Sequence, residues 1–286
     1  MIRARAVGWK AWAALEATDG AARVLAPLTA SIYLEADDEL VWLGPVGADL
    51  HPRAVLTDAP LPGADGALVL DREAAWRWAP APAAPAPAAT LRAGCRALLD
   101  ALPALGPADG LGALLCGAAP AFPLEGAAPQ ARSLARACAA DDPGGAVEAA
   151  TALLGLGPGL TPSGDDYVGG AFFSRALVAD SDARARWARA AAVVRARARS
   201  RTHPISAALL GDLLDGGGPA PLHDLALALA RGAPPAAALT AARRLVRLGH
   251  SSGWDMLAGF VGGSSGIRDD SPVASPSPRA RTTTRS

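Results

Sequence analysis

The sequence predicts an α+β protein, with a β-rich N-terminal domain (a small barrel or sheet) followed by a mainly α-helical domain. Three observations lead there. Residues 23–36 and 39–46 carry apolar runs, Val24, Leu25, Ile32, Tyr33 and Leu34, then Leu40, Val41, Trp42 and Leu43, flanking a turn at Ala36-Asp37-Asp38. Residues 80–89 read PAPAAPAPAA, a composition that neither a helix nor a central strand accommodates. Beyond Leu91 the apolar spacing becomes helical, with Gly or Pro at most joints. The domains follow as 1–79 (β-rich), 80–90 (Pro/Ala linker), 91–262 (helical) and 263–286 (disordered tail).

In chain order, the hairpin over 23–46 is followed by two short strands, around Val55-Leu56 and 67–70. Five of the tryptophans, Trp9, Trp12, Trp42, Trp76 and Trp78, lie in this zone and are expected to fill its core. Helices are expected over 91–104, 127–140, 145–154, 165–179, 183–199, 205–214, 222–231, 235–247 and 252–261. The tail is rich in Ser, Pro, Thr and Arg and lacks the apolar residues that would order it. No fixed-period repeat interrupts this plan.

Bulk properties narrow the function. Hydrophobic residues make up 51% and charged residues 19% of 286, enough apolar material for a sizeable core. A net charge of zero leaves no electrostatic footprint for nucleic acid or an anionic membrane. Basic charge is nearly all Arg, Lys10 being the only lysine. Cys95, Cys116 and Cys138 are odd in number and lack CxxC spacing, so neither a disulfide framework nor a zinc site is expected. No run reaches membrane-spanning length and no signal peptide is evident, which makes cytoplasm the expected compartment.

Three segments carry candidate chemistry. Residues 155–167 read GLGPGLTPSGDDY. Here Gly157, Gly159, Leu160, Thr161, Ser163 and Gly164 lead into a helix, with Asp165 and Asp166 in its first turn. Glycines let backbone N–H groups close on a ligand, Ser163 is placed to cap the helix, and a helix start favours an anion. A capped helix start alone also explains the acidic pair. The segment is neither a Walker loop nor GxGxxG. Residues 201–206, RTHPIS, offer Thr202 and Ser206 as hydroxyl donors, Arg201 as an anion contact and His203 as a capping or surface histidine. Residues 248–255, LGHSSGWD, place His250, Ser251 and Ser252 at another helix start, with Ser252 and Asp255 at capping-box spacing. A Ser–His–Asp hydrolase is disfavoured, since no GxSxG elbow exists. Three polar helix starts in an otherwise apolar domain exceed what capping needs. Together they describe a pocket for a small anionic ligand.

GLGPGLTPSGDD (155–166), T-x-x-I-S leading into Ala-Ala-Leu-Leu (202–210) and GHSSGWDMLAG (249–259) resemble the pattern of a bacterial family. One branch of that family is the AllH subunit of oxamate carbamoyltransferase. The resemblance extends over roughly residues 20–262. It implies phosphorolysis of oxalurate to oxamate and carbamoyl phosphate in purine (allantoin) nitrogen catabolism, together with further subunits and no cofactor. The backbone of 157–163 with Thr161 and Ser163 would then hold phosphate or carboxylate. His250 would polarise the carbamoyl oxygen or move a proton. Asp165 or Asp166 would orient His250 or the amide nitrogen, and Thr202, Ser206, Ser251, Ser252 and Asp255 would complete the substrate site. Two other classes stay open: a metal-dependent hydrolase using Asp165, Asp166 and Asp255 as oxygen ligands, and a non-catalytic subunit of a multi-subunit enzyme.

Overall fold

The chain alternates short strands and one helix up to residue 78 and is helical afterwards, as seen in a computed structural model describing residues 1–61, 66–81, 85–178 and 180–265. Among these residues eight strands form one curled sheet: β1 (Ile2–Arg3), β2 (Ala6–Gly8), β3 (Ala21–Pro27), β4 (Ile32–Ala36), β5 (Glu39–Pro45), β6 (Ala54–Thr57), β7 (Ala67–Asp71) and β8 (Trp76–Trp78). Their order across the sheet is β1-β7-β3-β4-β5-β6-β2-β8. The β4–β5 hairpin pairs Ala36 with Glu39, and both residues between them, Asp37 and Asp38, have positive φ (52° and 58°). That is the primed two-residue turn that matches strand twist.

Parity along β4 decides what each face of the sheet touches. Ile32, Leu34 and Ala36 point into a core with Val41, Leu43 and Val55, closed by α1 (Trp9–Ala17) through Ala11, Ala14 and Leu15. Tyr33 instead packs with Leu40 and Ile205, against the helical domain. Alternation therefore builds a two-sided sheet. The expected tryptophan-filled core forms only in part: Trp78 is buried with Ala54 and Leu56 and Trp12 packs against the α1 core, whereas Trp76 is 62% exposed and Trp42 lies on the face turned to the helices. Sequence periodicity did not resolve α1, β1, β2 or β8, all of which are short.

The helical part comprises α2 (Ala88–Asp100), α3 (Ala128–Ala139), α4 (Pro143–Leu153), α5 (Ser163–Ala176), α6 (Ser181–Ala198), α7 (Pro204–Leu214), α8 (Ala220–Ala230), α9 (Pro235–Leu245) and α10 (Ser252–Ser265). Each of the nine expected helices has a counterpart here. Three 3₁₀ turns, Leu102–Leu105, Gly110–Cys116 and Glu125–Ala127, were not anticipated. Within the expected linker, Ala86 bridges to Val178 and α2 begins at Ala88. Gly263, Ser264 and Ser265, placed in the expected tail, belong to α10, and the rest of that segment, 266–286, lies outside the described residues.

Helices α5 and α10 form the centre of the domain. Ser163 through Arg175 are all buried, as are Gly253 through Gly263. A helix buried all round needs small residues where it crosses a neighbour. A Cβ on Gly259 would lie 2.0 Å from the Tyr167 carbonyl oxygen, so the two backbones touch there. This crossing brings the N-termini of α5 and α10 side by side.

An ion-pair cluster ties the two domains together. Arg53, after β5, makes a bidentate contact with Asp212 of α7 (Nε–Oδ2 2.7 Å, Nη2–Oδ1 3.0 Å) and reaches Glu39 at 2.6 Å. Lys10 of α1 adds a 2.6 Å bond to Asp212. The Arg53 and Asp212 side chains are only 7% and 4% exposed, so each charge depends on the other.

Candidate functional site

The Gly-rich segment before α5 turns tightly on itself. Gly157 has φ +120°, and a Cβ there would sit 2.7 Å from the Ser163 amide nitrogen. Only glycine allows the loop to fold this closely over the helix start. Ser163 does not cap α5. Pro162 occupies the N-cap position without a side-chain hydrogen bond, and Ser163 is the first helical residue. Its hydroxyl meets that of Ser251 at 3.3 Å, while Thr161 meets Ser252 at 3.4 Å. Segments nearly 90 residues apart are thereby joined by paired hydroxyls.

The two aspartates of the segment have different environments. Asp165 is fully engaged: Oδ1 accepts from the Gly155 N–H at 2.9 Å, and Oδ2 accepts from the Thr202 and Ser206 hydroxyls, the latter at 2.6 Å. Thr202 and Ser206 thus anchor the Gly-rich loop through Asp165. Asp166 faces a cavity, and its Oδ2 is buried without a hydrogen bond. Behind it, Asp255 accepts from the Leu111 N–H at 2.6 Å through Oδ1, and its Oδ2 also lacks a hydrogen bond. The capping box expected of Ser252 and Asp255 is therefore not made. Burial, followed by the charge of Asp255, holds the Asp166 carboxyl well above the usual carboxylate range, opposed by the nearby Ser252 hydroxyl. Burial also pushes Asp255 up to about 7, although the Leu111 N–H and the Ser251 and Ser163 hydroxyls favour its charged form. Both carboxyls therefore hold their protons to higher pH than an ordinary carboxylate does.

The cavity measures about 790 Å³ and opens between the sheet and the helices. Thr161, Asp166, Gly249 and Ser252 line it from the helical side. The β domain contributes Tyr33, Trp42 and His51, none of which stood out in the sequence as a site residue. Burial and then Asp166 raise the Tyr33 phenol to about 12. Burial and, to a smaller extent, Arg53 bring His51 down to about 4 against the pull of Asp212, so the ring is neutral. At the rim, Arg244 is paired with Asp49 and with Asp224 (2.7 Å), while Arg247 lines the cavity and is exposed. The lone lysine, bonded to Asp212, was the one sequence signal near this interface.

Other expected site residues lie apart from the cavity. His250 is 98% exposed and sits 3.6 Å from Asp109, so the link from Asp165 or Asp166 to His250 is not made. The helix-crossing geometry buries the residues that follow Ser252 and leaves the turn before it in solvent. Leu160 packs with Tyr33, Leu40 and Ile205. A Cβ on Gly164 would meet the Leu153 carbonyl, so Gly164 serves close packing, whereas Gly159 lies in open space. Arg201 is exposed, and His203 caps α7 by accepting from the Ile205 N–H. Among the described residues no three His, Cys, Asp or Glu side chains gather in a way that could hold a metal.

With this geometry established, comparison with known proteins adds a family. Residues 153–264 match the family described as oxamate carbamoyltransferase subunit AllH. All three motifs lie inside the match, in agreement with the resemblance they carry, and the family name implies partner subunits. The match is narrower than the expected span from about residue 20, since the β domain falls outside it. No curated protein and no solved structure matches the chain.

Proposed function

We propose that the chain is a cytoplasmic oxamate carbamoyltransferase subunit that works with partner subunits in allantoin nitrogen catabolism. In this reading the interdomain cavity takes oxalurate and phosphate and releases oxamate and carbamoyl phosphate. The observation that carries it is the junction of the two polar helix starts, Thr161 to Ser252 and Ser163 to Ser251, over a buried Asp166 with a free carboxyl oxygen. This junction lies within the segment similar to the AllH family.

The chemistry follows from those groups. A phosphate oxygen attacks the carbamoyl carbon of oxalurate, and the oxygen of that carbon becomes an oxyanion. Backbone N–H groups of residues 157–163 and the Thr161 and Ser252 hydroxyls are donors for that charge and for phosphate. The C–N bond to the oxamate nitrogen then breaks, and this nitrogen needs one proton. Asp166, kept protonated beside Asp255, supplies it and is reprotonated by the proton the phosphate gives up. Asp165 acts as a positioning residue through the Gly155 amide.

The test compares ligand-induced stabilisation of wild type, Ser163→Ala and Asp166→Asn, with and without partner subunits. At about 100 times its dissociation constant, oxalurate or carbamoyl phosphate is expected to stabilise wild type by roughly 2.7 kcal/mol. Both variants should fold and lose this response. Full response and full carbamoyl transfer by both would refute the assignment.

A further inference from the structure

Several features of the β domain converge on the cavity from the side opposite Asp166. Tyr33 is only 8% exposed, yet its hydroxyl has no hydrogen-bond partner among the described residues and borders the cavity. Its ring is fixed by Leu40 and Ile205. His51 accepts from the Arg53 N–H through Nδ1 at 3.3 Å, which places the proton of the neutral ring on Nε2. The imidazole is braced against Trp42, with ring centroids 5.4 Å apart and planes tilted by 55°. Arg53 is in turn locked to Asp212 of α7, so the position of His51 is set by the domain interface. The Tyr33 hydroxyl, unpaired within the protein and opening on the cavity, is a donor that a ligand or water there completes.

We propose that the β domain supplies half of the substrate site, with the Tyr33 hydroxyl and the His51 Nε2–H donating to the oxygens of a planar ureido carboxylate whose reacting end lies at Asp166. This rests on the reading given under Proposed function and adds specificity-determining residues from outside the segment similar to the AllH family. Both donors are uncharged. They therefore select carbonyl and carboxylate oxygens in fixed directions, whereas inorganic phosphate is served by the helix starts and leaves the β-domain donors unused. The high phenol pKa keeps Tyr33 a donor throughout the physiological range.

Calorimetric titration of the full chain with oxalurate and, separately, inorganic phosphate tests this. Tyr33→Phe keeps the ring that packs on Leu40 and Ile205 and removes only the hydroxyl. It is expected to weaken oxalurate about tenfold, the effect of one lost hydrogen bond, and to leave phosphate binding and the melting temperature unchanged. His51→Asn, in which the side-chain oxygen can replace Nδ1 as acceptor for Arg53, should show the same selectivity. Oxalurate binding by Tyr33→Phe within twofold of wild type overturns this role and leaves the proposed function standing. Equal weakening of oxalurate and phosphate marks a structural effect and also overturns it. A wild-type chain that binds neither ligand, alone or together with its partner subunits, removes the proposed function and this role together.

Discussion

Asp255→Asn is expected to stabilise the protein, increasingly so as the pH rises. Asp255 is completely buried, and only one of its oxygens is hydrogen-bonded. Its folded-state pKa of about 7, against an ordinary value of 3.8, means that the folded protein holds the proton over a range where the unfolded chain has lost it. Stability from this group is complete below about pH 4 and is lost as the pH rises to about 7. The full loss is on the order of 4 kcal/mol, from a rise of 3.8 to about 7 at about 1.36 kcal/mol per pH unit. Between pH 5 and pH 8 the part lost is roughly 2.7 kcal/mol. Asparagine keeps an oxygen for the Leu111 N–H and cannot ionise. Urea denaturation of wild type and variant at pH 5, 6, 7 and 8 reads the contribution, Asp166 being the neighbouring group whose titration the substitution also lowers. The gap in unfolding free energy should widen in favour of the variant by roughly that 2.7 kcal/mol. Parallel curves, or a gap that narrows with pH, would refute the raised proton affinity of Asp255.

Two further predictions concern the framework around the site. Asp212→Ala leaves Arg53 and Lys10 without their shared carboxylate and should cost about 3–5 kcal/mol, measurable by chemical denaturation. Loss of less than about 1 kcal/mol would mean that the pair is solvated. Gly259→Ala places a methyl against the Tyr167 carbonyl and should destabilise by at least roughly 1–3 kcal/mol, whereas Gly126→Ala, which meets no atom and needs no left-handed backbone, should avoid both clash and strain. Thermal melts of the two variants should therefore separate clearly.

Local sequence determined the β-then-α plan, the Asp37-Asp38 hairpin turn and the nine main helices, because each depends on short-range periodicity and turn chemistry. It also marked the Gly-rich and GHSSG segments, since glycines and hydroxyls clustered at helix starts are a local pattern. What the aspartates do was not legible there. Asp165 and Asp166 are adjacent and chemically identical, yet one is bonded by Gly155, Thr202 and Ser206 and the other keeps one carboxyl oxygen unbonded near Asp255. The difference comes from the α5–α10 crossing and the position of α7, which are long-range contacts. The same holds for His250, left in solvent by the turn that buries Asp255, and for Tyr33, which looks like any strand aromatic until the sheet closes over the helices. Burial sets the proton affinity of these groups, and burial is a property of the packed chain rather than of any stretch of it.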